Sequence, residues 1–534
     1  MTNRRSFLTA LGAGCAALRT SWAQSRSDGR ELFWTVETTS GKVQGIANTG
    51  IKEFKGIPYG APTGGPNRYM PPKKPAAWTG VRECFGHGPI CPQTIASLNS
   101  DYAMLIQWDL HVGGMNEDCL SLNVWTPGIN DGQKRAVMVS FHGGGFATGS
   151  GNGPQYDGAQ LARFGDVVVV TVNHRLASYG YLHLADLGAP PEFAYAGVVG
   201  MMDLVASLEW VRDNIERFGG DPAKVMVFGQ SGGGAKTSTI LAMPSAKGLF
   251  QSAGVQSGST IRSATREQGT KSAELLLAKL GISKSNIGGI QKVSWQQILD
   301  AQTALGAGAS FTPVVDGKVL PHHPFDPTAP PESADVPVVI STTLEDAALR
   351  LTNFDLDEAG LKKLLSERFG AKAEHMIALY RDRYPSKSPF LIQAQILTDE
   401  GGRRSAILQA ERKSALGKAP AYMYQWDFAS TGFDGKFGAV HGTDVSASFD
   451  NYRDGVGGTG SRRERALWDR FAAAWVSLAK TGNPNNPHIP NWPPYDTSRR
   501  STMLFDNEVS AESDPRSEIR KFWAEMPTPG APRA

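Results

Sequence analysis

Cysteine is scarce in this chain, at four residues in 534. Cys15, Cys84, Cys91 and Cys119 contain no Cys-x-x-Cys pair, and no Cys/His cluster has the spacing of a zinc module. His322 and His323 are adjacent, so they cannot easily share one ion; they read as loop residues, and no metal site is expected. Long apolar runs are also missing. The only candidate near the N-terminus is a mildly apolar stretch ending at Leu18, too short to span a bilayer, and no later run is long enough. Charge of one sign is lacking too. The formal net charge of +3 comes from Arg4, Arg5 and Arg19, without which the basic count falls to that of the 51 acids. A balanced surface gives no footprint for nucleic acid.

Those three arginines belong to a segment best set apart from the fold. Asn3-Arg4-Arg5-Ser6-Phe7-Leu8, the apolar stretch and Ser21-Trp22-Ala23 look like a twin-arginine export signal with a small-residue cleavage site. Residues 1–23 are therefore expected to be a signal peptide cut after Ala23, and the mature chain to be periplasmic or secreted, with no membrane segment. An exported chain can oxidise a pair of its three remaining cysteines.

What is present is the composition of a folded enzyme. Apolar residues are 40 % and charged residues 20 %, which excludes a disordered chain. Sixty glycines suit a loop-rich protein with tight turns. No Ser/Gly linker or charge run divides residues 24–534, which are expected to form one α/β domain. Val137 to Phe141 is a short apolar run ending in Gly143-Gly144-Gly145, and Val167 to Val172 reads as a strand buried on both faces. Leu204, Leu208, Val211, Ile215 and Phe218 recur at helical steps, closed by Gly219-Gly220. Val225 to Phe228 is the next strand, and a small-residue helix runs on to about Met243. This alternation predicts a doubly wound sheet. Residues 259–312 read as a polar helical cap or insertion. Val336 to Ile340 predicts another buried strand, and Tyr422, Tyr424, Trp426 and Phe428 alternate as a further one.

Two glycine-rich motifs carry chemistry. Gly229-Gln230-Ser231-Gly232-Gly233 matches G-x-S-x-G between a strand and a helix. A serine on such a strained turn has its hydroxyl lifted above the strand ends, and the glycines avoid clashes there. His142-Gly143-Gly144-Gly145-Phe146 follows a buried strand, where successive glycine N–H groups can point at a substrate oxygen. No Gly-Lys-Ser/Thr follows, which argues against a phosphate loop.

With these motifs the chain resembles the type-B carboxylesterases, the family that also holds the cholinesterases, over roughly residues 36–505. Phe54 to Gly60 looks like the family's opening strand and turn, and Glu117 to Val124 is similar to its second signature. Asn214 to Pro222 and Val225 to Gly233 follow its approach to the nucleophile, and Gly482-Asn483-Pro484 with Trp492-Pro493 matches its C-terminal pattern. Two positions depart from it: Gly232 stands where alanine is usual, and Ser121 where an aromatic residue or threonine is common. The resemblance implies an α/β-hydrolase fold, a central, mostly parallel twisted sheet flanked by helices with helical cap insertions. It implies hydrolysis of small-molecule carboxylic esters through an acyl-enzyme, without cofactor.

By the same resemblance, Ser231 is the expected nucleophile, His441 in Gly438 to Asp444 the expected base, and the N–H groups of Gly144, Gly145 and Gly232 the expected oxyanion donors. His375 and His488 read as structural. The acid falls in Ser341-Thr342-Thr343-Leu344-Glu345-Asp346-Ala347, where Asp346 occupies the expected position and Glu345 is the alternative. Ser257 matches a family position near the acid, or is a plain turn serine. Cys91 and Cys119 resemble the family's N-terminal disulfide pair, which would staple a loop containing Trp108 and leave Cys84 a packed thiol; the alternative is that all three are reduced. Alternatives on the same fold are acyl transfer to an alcohol, amide hydrolysis as a side activity, and a non-catalytic binding protein.

Overall fold

The computed structural model describes residues 32–95, 99–106, 112–452 and 461–526. The expected signal peptide 1–23 and Trp108 lie outside the described residues. Thirteen strands join in one sheet. At its N-terminal edge β1 (Phe33–Thr38), β2 (Gly41–Asn48), β3 (Ile51–Pro58) and β5 (Ser121–Thr126) run antiparallel, with the short β4 (Val81–Glu83) parallel beside β2. The centre comprises β6 (Arg135–Phe141), β7 (Val168–Val172), β8 (Gly220–Gln230), β9 (Ser252–Gln256), β10 (Val338–Thr343), β11 (Ala421–Trp426) and β12 (Ser501–Phe505). These seven are parallel in the spatial order β7-β6-β8-β9-β10-β11-β12, and β13 (Val509–Ser513) closes the far edge antiparallel.

That order positions the site. From β6 the chain moves to β7 on one side, then returns to place β8 on the other. The carboxyl ends of β6 and β8 therefore flank a topological switch point, where open α/β sheets form their binding crevice. The two glycine-rich motifs emerge from those two strand ends. Both strands are apolar toward those ends because helices cover both faces of the sheet; Val137 and Val139 of β6 and Met226 and Val227 of β8 are completely buried.

Helix α1 (Val199–Asn214) is the crossover from β7 to β8. It starts five residues before the predicted periodicity and continues as a 3-10 turn, Ile215–Phe218, ending on Gly219 at φ 76. It is buried on more than one stripe. Asp203 on its inner side forms a fully buried ion pair with Arg175, Nη2 to Oδ1 at 2.6 Å. Helix α2 (Gly232–Ile240) ends three residues earlier than expected. The 259–312 segment is helical, with Arg266–Lys279 and Trp295–Leu305 both starting in capping boxes. It is no detached cap: Leu276, Leu277 and Ile298 join the same core cluster as Leu204 and Val227. Strand β10 begins at Val338, after Pro337, rather than at Val336. No helix among the described residues is long and apolar enough to cross a membrane.

The opposite face of the sheet is aromatic. The twenty-residue helix α5 (Arg462–Thr481), numbered after α3 (Pro389–Thr398) and α4 (Arg404–Ala415), lays Trp468, Phe471 and Trp475 against Tyr424, Trp426 and Phe505. Phe471 stacks on Trp475 with ring centroids 4.9 Å apart, and Trp426 meets Trp468 edge to face at 5.6 Å. Asp450 is buried beside Asp469 of this helix, and burial, repulsion and a shared hydrogen bond push its carboxyl up to about 7. The folded chain thus holds a proton there that the unfolded chain releases near the ordinary value of 3.8. The stability this proton contributes is full in acid and is lost as pH rises through about 7. Asp450→Asn should therefore raise Tm by an amount that grows between about pH 4 and 7 and levels off above. Thermal scans across that range check it; a pH-independent gain removes the shared proton from the account.

Candidate active site

Ser231 sits on the turn between β8 and α2 with φ 59 and ψ −124. A residue with a side chain costs about 1–3 kcal/mol in such a conformation, so the surroundings must impose it. Its N–H donates to Gln256 O on β9 at 2.8 Å, and its carbonyl accepts from Ala235 N at 2.9 Å. The flanking glycines admit the turn. A Cβ on Gly229 or on Gly233 would overlap Phe141 O at the end of β6. A Cβ on Gly232 would overlap the N and O of Gly145. The family's usual alanine would not fit here, because the 142–145 loop lies directly on residue 232.

That loop is held open on its outer side. Gly144 and Gly145 have φ 84 and 65, the left-handed region that favours glycine. Gly143 N–H donates to Tyr156 Oη at 3.0 Å, and Gly144 O accepts from Thr148 N at 3.0 Å. The N–H groups of Gly144 and Gly145 have no hydrogen-bond partner among the described residues. Gly232 opens α2, so its N–H lies outside the helical ladder.

Asp346 and His441 come together from elements almost a hundred positions apart. His441 Nδ1 lies 2.9 Å from Asp346 Oδ1, and both side chains are largely buried. Thr343 Oγ1 donates to the other carboxylate oxygen at 3.1 Å. Burial pushes the Asp346 carboxyl up, but attraction to His441 and the hydrogen bonds from His441 and Thr343 outweigh it. The net effect holds the carboxyl below its ordinary value. Ser257, at φ 46 beyond the end of β9, turns its buried hydroxyl toward the same carboxyl, short of full hydrogen-bond geometry.

Glu345 points elsewhere. It is completely buried; its Oε1 accepts from Lys387 Nζ at 2.8 Å and from Gln395 Nε2 of α3 at 2.7 Å. Its Oε2 accepts from Ala439 N at 2.8 Å, and its own N–H donates to Ala439 O at 3.1 Å. Of the two adjacent acids, only Asp346 bonds the imidazole, while Glu345 ties the acid loop to the histidine loop two residues before His441.

The same loop has a second anchor that the sequence reading missed. Asp444 Oδ2 accepts from Tyr424 Oη at 2.7 Å and from Gln256 Nε2 at 3.0 Å, and Gln256 also bonds Ser448. Tyr102 Oη donates to His441 O at 3.1 Å. Tyr102 packs edge to face on Phe437, which also meets Phe354 at 5.2 Å, so an aromatic cluster borders the histidine. His375 instead faces Phe522; His322 pairs with Glu332, and His323 accepts from Ser263 N–H. No signal in the sequence joins these scattered positions, because each contact depends on the strand order.

The expected Cys91–Cys119 disulfide is not formed. Both residues are buried thiols, as is Cys84. The pair does meet: a hydrogen bond to Cys91 and burial push the Cys119 thiol well above its usual value. Cys91 Sγ accepts from Leu176 N–H at 3.2 Å. Oxidation requires a thiolate, and this closed, apolar setting disfavours one.

Comparison with known proteins finds relatives along nearly the whole chain. The model described as "Carboxylesterase family" matches residues 34–523. The para-nitrobenzyl esterase of Bacillus subtilis is 34 % identical over 502 residues, 91 % of this chain and 97 % of the relative. The phenmedipham hydrolase of Pseudarthrobacter oxydans is 29 % identical, covering 88 % and 94 %. Among solved structures, a carboxylesterase of Geobacillus stearothermophilus superposes with a TM-score of 0.78 at 34 % identity, covering 92 % of this chain and 99 % of that one.

Proposed function

Since the chain belongs to the carboxylesterase family and is a serine hydrolase of carboxylic esters, we propose that Ser231, His441 and Asp346 are its catalytic triad. The observation that carries this reading is the 2.9 Å contact between His441 Nδ1 and Asp346 Oδ1. It fixes the proton on Nδ1 and leaves Nε2 as the basic nitrogen. His441 takes the Ser231 proton as the hydroxyl oxygen attacks the ester carbonyl, and Asp346 stabilises the imidazolium that results. The N–H groups of Gly144, Gly145 and Gly232 receive the oxyanion. His441 then protonates the departing alcohol, and water repeats the cycle on the acyl-serine.

The proposal extends to substrate and location. Tyr102, Phe354 and Phe437 beside the histidine loop favour esters with an aromatic group, in keeping with relatives named for para-nitrobenzyl and phenmedipham substrates. The paired Arg4-Arg5 supports export, with Gln24 as the mature amino terminus. One experiment tests the set: mass spectrometry of the exported protein after reaction with a fluorophosphonate. The adduct should sit on the Ser231 peptide, be blocked by an aryl ester, and occur in a chain beginning at Gln24. An unlabelled chain, or an adduct on another residue, overturns the triad.

A further inference from the structure

Helix α2 carries a side chain that the hydrolytic scheme leaves unused. Lys236, five residues after Ser231, is completely buried. Its Nζ donates to the carbonyl oxygen of His142, the first residue of the oxyanion loop, at 2.8 Å. No acidic side chain forms an ion pair with it among the described residues. Burial alone pushes its ammonium well below the usual lysine value.

The neighbours do not compensate. His142 and His174 stack with ring centroids 5.1 Å apart. Each Nδ1 faces a backbone carbonyl at 2.8 Å, Gly143 O for His142 and Arg175 O for His174. A ring nitrogen facing a carbonyl carries the hydrogen, so each Nε2 is a bare acceptor, and both are buried without a partner. Burial, then the Lys236 charge, lowers the basicity of both rings, so they stay neutral. An amine buried without a carboxylate is a poor stabiliser, and an apolar side chain of similar length would be cheaper. A purely structural role is therefore the weaker account of it.

The position suggests the function. Gly232 lacks the methyl that would hold the loop off α2, and Gly145 lies on the space so left. Lys236 reaches from the next turn of the same helix to the root of that loop. We propose that Lys236 is a positioning residue that draws the His142–Gly145 loop down onto Gly232, so that the Gly144, Gly145 and Gly232 N–H groups converge on the oxyanion. The inference rests on the triad reading above and deepens it. Either protonation state of the amine can donate to His142 O, so the clamp does not depend on charge.

The test is Lys236→Met, which keeps length and removes the donor. With p-nitrophenyl acetate, kcat should fall about tenfold to a hundredfold while KM stays within about threefold. A trifluoromethyl ketone, which forms a tetrahedral oxyanion on a serine, should lose affinity by the same factor, and Tm should match or exceed that of the parent. Gly232→Ala displaces the loop from the other side and should give the same pair of losses. The double variant should be no worse than the weaker single one, because one geometry is lost in both. A kcat within about twofold of the parent, an unchanged ketone affinity, additive losses, or activity lost together with a Tm lowered by more than about 5 °C each overturn the proposal. A Lys236→Met that does not fold makes residue 236 a structural element and overturns the proposal as well. A parent that a fluorophosphonate labels at Ser231, yet whose kcat is indifferent to residue 236, removes this inference alone; an unlabelled parent removes the triad.

Discussion

Asp346→Asn should lower kcat about ten-thousandfold with little change in KM, and Glu345→Gln should not. The asparagine amide can turn an N–H toward His441 Nδ1, which forces the imidazole into the wrong tautomer and leaves it unable to take the serine proton. The present geometry, with Thr343 donating to one oxygen and His441 facing the other, requires an acceptor at both positions. Glu345 makes contacts that an amide partly reproduces. A glutamine can still accept from Ala439 N, and Lys387, which is 24 % exposed, can keep its charge in water. The expected result for Glu345→Gln is a lowered Tm and a kcat reduced less than about tenfold. Both variants should be assayed at saturating ester, with Tm measured alongside. A larger kcat loss in Glu345→Gln than in Asp346→Asn exchanges the two roles and rejects the triad as drawn.

The adjacency of these acids shows where sequence reasoning ends. Position after a strand pointed to the Glu345-Asp346 pair and favoured Asp346, with Glu345 as the alternative. Both meet the histidine loop; what separates them is that Asp346 reaches the His441 ring and Glu345 the backbone of Ala439, and that depends on β10 and β11 lying side by side in parallel register. The elbow was more legible. Gly229 and Gly233 are dictated by contact with Phe141 O, a clash that any side chain meets, so the motif records its own geometry. Gly219 was equally plain, since a helix ending at positive φ selects glycine. The C-terminal hairpin of β12 and β13 and the helix α5 escaped notice. Both are specified by packing on the aromatic face of the sheet, and neither has a local pattern as strong as the valines of β7. The Cys91–Cys119 pairing was right about proximity and wrong about the bond. Lys236 gave no signal either: a lysine in a small-residue helix reads as solvated, and only the strand order reveals that it points at His142.

Ser231→Ala carries the largest expected effect, a loss of about a millionfold in kcat. The substitution removes only the hydroxyl. The backbone at φ 59 is held by Gln256 O, by Ala235 N and by the press of Phe141 O on its glycine neighbours, none of which involves the side chain. The His441–Asp346 contact and the free N–H groups of Gly144 and Gly145 also survive. Tm should therefore stay within about 2 °C of the parent, since a hydroxyl at a half-buried position contributes little. An aryl ester should still bind with unchanged affinity, because its oxyanion contacts form only after attack. Residual hydrolysis from the oxyanion donors and binding alone should remain about a thousandfold above water. The measurement pairs steady-state turnover with equilibrium binding of the intact ester to the same variant. Turnover within about tenfold of the parent removes Ser231 from the chemistry. Turnover lost together with binding or with Tm instead makes residue 231 a structural element of the elbow rather than its nucleophile.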